Sequence, residues 1–129
     1  MLKPFNPPGM ARPASRYSQG VEVSPNARWL HISGQIGVAP DGTTRAGLAA
    51  QFDQAFANVG SVLAGAGMAK SDLVKMTVFV TVPGVETLAV YRRVRDLWLD
   101  GHAPAMTYLV VNGLALPEFL VEIEAVAAK

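Results

Sequence analysis

Two glutamates, Glu122 and Glu124, alternate with apolar residues in the segment VEIEAV at positions 121–126. Alternation with a period of two is typical of a β-strand and would place both carboxylates on the same side of it. One interpretation is that they reach solvent or pair with Lys75 or an arginine across a strand, because acids buried without partners are costly. The other is that one of them lies in a cleft and holds or activates water as a general base.

A second candidate is the tripeptide Ser33-Gly34-Gln35, which lies where a predicted strand enters a loop. Glycine has no Cβ, so Gly34 would let a ligand approach the main chain closely, although a glycine at a strand end is usually only part of a turn. The chain has no cysteine, and its two histidines, His31 and His102, lie far apart in the sequence. We therefore predict no structural metal site.

The composition narrows the classes of partner. Eleven Lys and Arg against ten Asp and Glu give a net charge of +1, far from the strongly basic balance typical of nucleic-acid binding. The 129 residues suffice for a single domain, 1–129, whose proline-rich first part, 1–15, is interpreted as an extended arm. No segment has the length and apolarity of a signal peptide or membrane span, so we expect a cytoplasmic protein with no membrane partner.

The spacing of apolar residues indicates an α+β domain with the element order ββαβαββ. Apolar residues recur every three or four positions from Leu48, which predicts a helix ending at Gly65, and a second helix is predicted from Val85 to Asp100. Strict alternation rich in β-branched residues predicts a strand at 74–82. The other predicted strands lie at 17–23 and 29–33, joined as a hairpin, and at 106–111 and 119–127.

Two helices can cover only one face of such a sheet, which predicts two layers and an uncovered sheet face. Apolar residues such as Phe79 and Leu109 are expected on this uncovered face, and they favour contact with another subunit over contact with water. We therefore expect a homo-oligomer. Three basic residues of the second helix are interpreted as its solvated face: Arg92, Arg93 and Arg95.

Several segments, taken in order, resemble one protein family. They are YSQGV at 17–21, SGQI at 33–36, AQF at 50–52 with NV at 58–59, DLVKMTVFV at 72–80, APA at 103–105 and VEIEA at 121–125. No single segment is decisive, but their succession is specific and covers almost the whole chain from about Tyr17. On these residues the chain resembles the Rid family of reactive intermediate deaminases, formerly called the YjgF type.

The resemblance implies a two-layer chorismate-mutase-like (bacillus type) fold, assembled as a homotrimer whose sheets form an internal barrel and whose small-molecule clefts lie between subunits. As an activity it implies hydrolysis of enamine or imine intermediates to keto compounds and ammonia without a cofactor. In the family an arginine clamps the substrate carboxylate and a glutamate positions the attacking water. The glutamate corresponds to Glu122, the cleft tyrosine to Tyr17, and the glycine whose main chain faces the ligand to Gly34.

The family's arginine has no counterpart in this sequence. It directly follows a Pro-Ala dipeptide, whereas in this chain the dipeptide at 104–105 is followed by Met106, and Tyr91 replaces a cleft asparagine. A thioether carries no charge and no bidentate donor, so the carboxylate clamp is absent from its expected place. Either Arg16 or Arg28 reaches the cleft from another direction, or the ligand lacks a carboxylate.

Two functions therefore remain open. The first is a hydrolase of a non-standard imine or enamine in which Glu122 positions water, and the second is a non-catalytic trimer that binds a ligand or regulates a partner. An endoribonuclease activity, also attributed to family members, is disfavoured by the near-neutral charge and the lack of paired histidines. The predicted ligand-binding residues are Tyr17, Ser33, Gly34, Tyr91, Met106 and Thr107.

Overall fold

The computed structural model describes residues 1–129, which form six strands, two α-helices and one 3₁₀ turn. In chain order these are β1 (Leu2–Phe5), β2 (Gly20–Val23), β3 (Trp29–Ile36), α1 (Leu48–Gly65), the 3₁₀ turn (Lys70–Asp72), β4 (Leu73–Val80), α2 (Val85–Leu99), β5 (Ala105–Val110) and β6 (Val121–Ala128). The predicted order ββαβαββ is confirmed from β2 onward, and β1 is an additional strand.

Four strands form the main sheet, in the order β3-β6-β4-β5. β6 runs antiparallel to both of its neighbours, whereas β4 and β5 are parallel and are connected through α2. A parallel pair needs such a crossover because the chain must return to the same end of the sheet. The strand that carries Glu122 and Glu124 is therefore an interior strand of the sheet.

Helices cover the main sheet on one face only, as the two-layer prediction requires. Met76, Val78 and Val80 of β4 are fully buried and pack in one core with Phe52 and Phe56 of α1. Neither helix combines the length and apolarity needed to cross a membrane. The opposite face, which we call the open face, carries the alternate residues of β4, β5 and β6: Lys75, Thr77, Phe79, Ala105, Thr107, Leu109, Glu122 and Glu124.

The predicted hairpin between β2 and β3 is wrong. β2 pairs antiparallel with β1, placing Phe5 opposite Gly20, while β3 pairs only with β6. Pro4 is tolerated in β1 because a strand at the edge of a ribbon can lack an N–H group without losing a ladder bond. A Cβ atom on Gly20 would lie 2.7 Å from Cζ of Phe5, so glycine makes room for the aromatic ring.

The prediction that the arginines of α2 form a solvated face holds fully only for Arg93. Arg93 is exposed and Arg92 is half-buried, but only 1% of Arg95 is accessible to solvent. Arg95 is covered because the segment before β2 folds back over α2, where Ser15 Oγ accepts a hydrogen bond from Arg95 Nη1 at 3.2 Å. Helical spacing alone could not show this burial, because the covering segment is distant in sequence.

Candidate functional site

The residues predicted to form the site lie in two groups on opposite faces of the main sheet. Tyr17, Tyr91 and Met106 line one cavity on the helix-covered face. The remaining residues lie on or beside the open face: Ser33, Gly34, Thr107 and Glu122. The sheet separates the two groups, so a single protomer does not bring all of these side chains together.

The carboxylate of Glu122 occupies space that Gly34 leaves free. β3 shifts register between Ile32 and Gln35, so Gly34 lies inside the strand at a β-bulge and not in the loop that the sequence predicts. A Cβ atom on Gly34 would come within 2.8 Å of Cδ of Glu122, which requires the carboxylate to move. The bulge and the glycine together bring the main chain of β3 next to this carboxylate.

Neither glutamate of β6 pairs with a cation, because the salt bridges of the structure involve other residues. Lys75, the cation predicted as a partner, instead donates a hydrogen bond to Thr107 Oγ1 at 2.5 Å. Glu124 is exposed, whereas Glu122 is half-buried in register with Phe79. The half-buried carboxylate of Glu122 is therefore available to accept a hydrogen bond from water or from a ligand.

A polar cavity of about 410 Å³ lies on the open face, near but not at Glu122. Burial lowers the pKa of Lys75, one of its lining residues. Although the cavity contains a histidine and a glutamate, no group of three or more His, Asp or Glu side chains is placed to hold a metal ion. Its polar lining residues are His31, Ser33, Lys75, Thr77 and Glu124.

A second cavity, of about 210 Å³, lies between α2, β5 and the segment before β2, and is named the α2 cavity. The rings of Tyr91 and Tyr108 lie 4.8 Å apart between centroids within it. Burial raises the pKa of both phenols, so both stay protonated at neutral pH and can donate hydrogen bonds. The lining residues are Ala14, Ser15, Tyr17, Leu88, Tyr91, Arg92, Arg95, Met106 and Tyr108.

Arg95 is the functional candidate that sequence reasoning missed. Its Nε donates to Asp96 Oδ1 at 2.9 Å, and its Nη1 donates to Ser15 Oγ at 3.2 Å. Nη1 also lies 3.4 Å from Tyr91 OH, and the guanidinium carbon lies 5.0 Å from the centre of the Tyr91 ring, a distance typical of a cation–π contact. The sequence does contain one indication of this contact: Arg95 follows Tyr91 by four residues, a spacing that places both side chains on one helix face.

The two arginines suggested as replacements for the missing clamp lie elsewhere. Arg16 and Arg28 are both exposed, and neither lines the α2 cavity. Arg92 and Arg95 do line it, beside Met106. The cationic groups next to the methionine therefore come from α2, within one turn of helix of Tyr91.

The chain is similar to known proteins over nearly its whole length. The family model described as Endoribonuclease L-PSP matches residues 9–129. A RutC family protein of Aquifex aeolicus (strain VF5) is 32% identical, covering 99% of this chain and 100% of its own length. The 2-iminobutanoate/2-iminopropanoate deaminase of Rattus norvegicus is 32% identical, covering 88% of this chain and 80% of its own length.

The fold is also similar to a solved structure. The crystal structure of YyfB from Yersinia pestis, a protein of unknown function of the conserved Rid protein family, matches with a TM-score of 0.91 and 34% identity. The match covers 99% of this chain and 98% of that one. The predicted two-layer α+β fold of the chorismate-mutase-like type is thereby confirmed.

Proposed function

This chain belongs to the Rid (YjgF-type) family, and we propose on that premise that it hydrolyses a reactive imine or enamine to a keto compound and ammonia. Water adds its oxygen to the imine carbon and a proton to the nitrogen. The C–N bond then breaks, ammonia leaves with the second proton from the added water, and the C=O bond forms. An enamine first takes a proton on carbon and loses one from nitrogen, which gives the imine.

The observation that supports this proposal most directly is the environment of Glu122. Its carboxylate is half-buried, has no cationic partner and adjoins a glycine at a bulge. A carboxylate in this state can accept a proton from water as the water oxygen attacks, and no ion pair competes for it. The relative named as a 2-iminobutanoate/2-iminopropanoate deaminase supports an imine as the substrate class.

We expect the complete site to form between copies of the chain in a homotrimer. The two groups of predicted site residues lie on opposite faces of the sheet, so a second copy must supply one of them. The open face also presents apolar side chains, with Leu109 43% exposed and Phe79 partly exposed. Apolar area of this kind on an uncovered sheet favours association.

A charge placed on the open face is expected to disrupt the trimer. In Leu109→Glu a carboxylate would be buried at the subunit contact, so the apparent association constant should fall at least about tenfold per contact. Sedimentation velocity at micromolar concentration measures the change. Val85→Glu is the matched control, because Val85 is 79% exposed on α2, away from the open face. A wild-type chain that sediments as a protomer would contradict the expectation.

Substituting Gly34 by alanine should impair turnover without unfolding the protein. The added methyl group displaces the carboxylate of Glu122, and a misplacement of about 1 Å at a reacting group lowers rates by roughly a hundredfold. We expect kcat/KM to fall about tenfold to a hundredfold, with little change in melting temperature. Gly65→Ala is the control, because a Cβ atom there would meet nothing within 4 Å. Equal activity of the two variants would argue against a role for this carboxylate.

The second function, a ligand-binding or regulatory trimer without catalysis, is supported by Met106 at the position of the family's arginine. One assay distinguishes the two functions. In it, 2-iminobutanoate or 2-aminoacrylate is generated in situ, and the rate at which ammonia and keto acid are released is compared with the spontaneous rate. Turnover supports the hydrolase. Failure to turn over any imine, together with retained binding of a small ligand, supports the non-catalytic trimer.

A further inference from the structure

Three residues that line the α2 cavity each carry a buried hydrogen-bond donor that has no partner. The donors are Nε of Arg92, Nη2 of Arg95 and the hydroxyl group of Tyr108. A buried donor without an acceptor is unfavourable, and a buried guanidinium is especially so. The unpaired donors of these three residues are therefore most simply explained by a ligand that binds in the cavity and supplies the hydrogen-bond acceptor.

The charged residues around the cavity indicate which kind of hydrogen-bond acceptor it would bind. Two arginines line it and no acidic side chain does. Asp96 binds Nε of Arg95 from outside the lining and leaves Nη2 unpaired. Each arginine has one unpaired nitrogen, Nε of Arg92 and Nη2 of Arg95, and charged donors of this kind form their strongest hydrogen bonds with carboxylate or phosphate oxygens. The acceptor that fits is therefore an anion.

A purely structural role does not account for Arg95. An arginine that only anchored the segment before β2 would need its bond to Ser15, which Nη1 makes, and would direct its other nitrogens to main-chain carbonyl groups or to water. Instead, Nη2 is withheld from solvent and unpaired in a side chain of which 1% is exposed. The side chain is thus held in position by Asp96, Ser15 and Tyr91, with one donor left over.

We propose that the α2 cavity binds the carboxylate group of a small organic acid, with Arg95 as the principal donor and Arg92 and Tyr108 as further donors. At about 210 Å³ the cavity is smaller than the range of about 300–1,000 Å³ typical of drug-sized ligands, so a short chain fits. Met106 and Leu88 offer apolar contact to its hydrocarbon part. That this acid is the imino acid substrate rests on the proposed function, whereas carboxylate binding itself does not.

The test is calorimetric titration of the full-length protein with butyrate, and with butanamide as the uncharged ligand of the same shape. Butyrate should bind the wild type and butanamide should not. Arg95→Met, which keeps much of the length of the side chain and removes the charge, should weaken butyrate binding at least about thirtyfold. Arg93→Met is the matched control, because Arg93 is exposed on the same helix and should leave the affinity within about twofold.

Several outcomes would overturn the proposal: no butyrate binding to the wild type, equal binding of butanamide, equal binding of sulfate, or unchanged affinity in Arg95→Met. If Arg95→Met fails to fold, Tyr108→Phe replaces it and should weaken butyrate binding at least about threefold through loss of one hydrogen bond. The proposed hydrolysis is tested separately with Glu122→Gln, which should keep butyrate binding. Absence of wild-type turnover with butyrate binding intact would refute the hydrolase and leave the carboxylate site standing.

Discussion

Glu122→Gln is expected to lower kcat/KM for imine hydrolysis by about 10²- to 10⁴-fold, the range typical of a lost general base. Glutamine has nearly the same shape as glutamate, so it fills the space beside Gly34 and Phe79 without a new cavity. Its amide cannot accept the proton that water must give up as its oxygen attacks the imine carbon. The loss should therefore appear in kcat, while the affinity for ligand changes little.

The matched control for this variant is Glu124→Gln. Glu124 lies on the same strand and the same face, and its removal changes the net charge equally, but its side chain is exposed. Release of ammonia and keto acid from an imine generated in place measures both variants against the spontaneous rate. If Glu122→Gln retains wild-type turnover, or if both substitutions reduce turnover equally, Glu122 is not the group that activates water.

The position of Glu122 could be predicted because it depends on local backbone geometry. Alternation along a strand fixes which side chains share a face, and VEIEAV shows this alternation without interruption. The contact with Gly34 could not be predicted in the same way. It depends on a register shift in β3 that arises only when β3 pairs with β6, and the two strands are far apart in sequence.

Arg95 illustrates a second limit of sequence reasoning. Its neighbours on α2 are charged, and such a run indicates a solvated helix face. Its burial results from contact with Ser15, which is 80 positions away in a segment whose prolines favour an extended arm. The position of Arg95 on the helix could therefore be predicted. The segment that covers it could not, because that segment is distant in sequence. Met106, which the resemblance places at the position of the family's arginine, and the buried Arg95 are connected only in three dimensions, where both residues line one cavity.

Gln51→Ala is expected to destabilise the fold strongly, because the Gln51 side chain joins two loops to α1 and is only 2% exposed. Nε2 donates to the main-chain oxygens of Arg45 at 3.1 Å and Glu118 at 2.9 Å, and Oε1 accepts from the main-chain N–H group of Leu120 at 2.8 Å. The substitution leaves these groups without their partner and opens a cavity, which should lower the free energy of unfolding by about 2–4 kcal/mol.

That free-energy change corresponds to a fall in melting temperature of about 8–15 °C for a domain of this size. Gln54→Ala is the control, because Gln54 lies on the same helix and makes a single side-chain bond, to Asn58 at 2.8 Å. Since Leu120 lies at the entry to β6, two residues before Glu122, Gln51→Ala should also reduce turnover below the melting transition. Thermal denaturation of the two variants decides the matter: if Gln51→Ala melts no lower than Gln54→Ala, the two loops are held in place by other contacts.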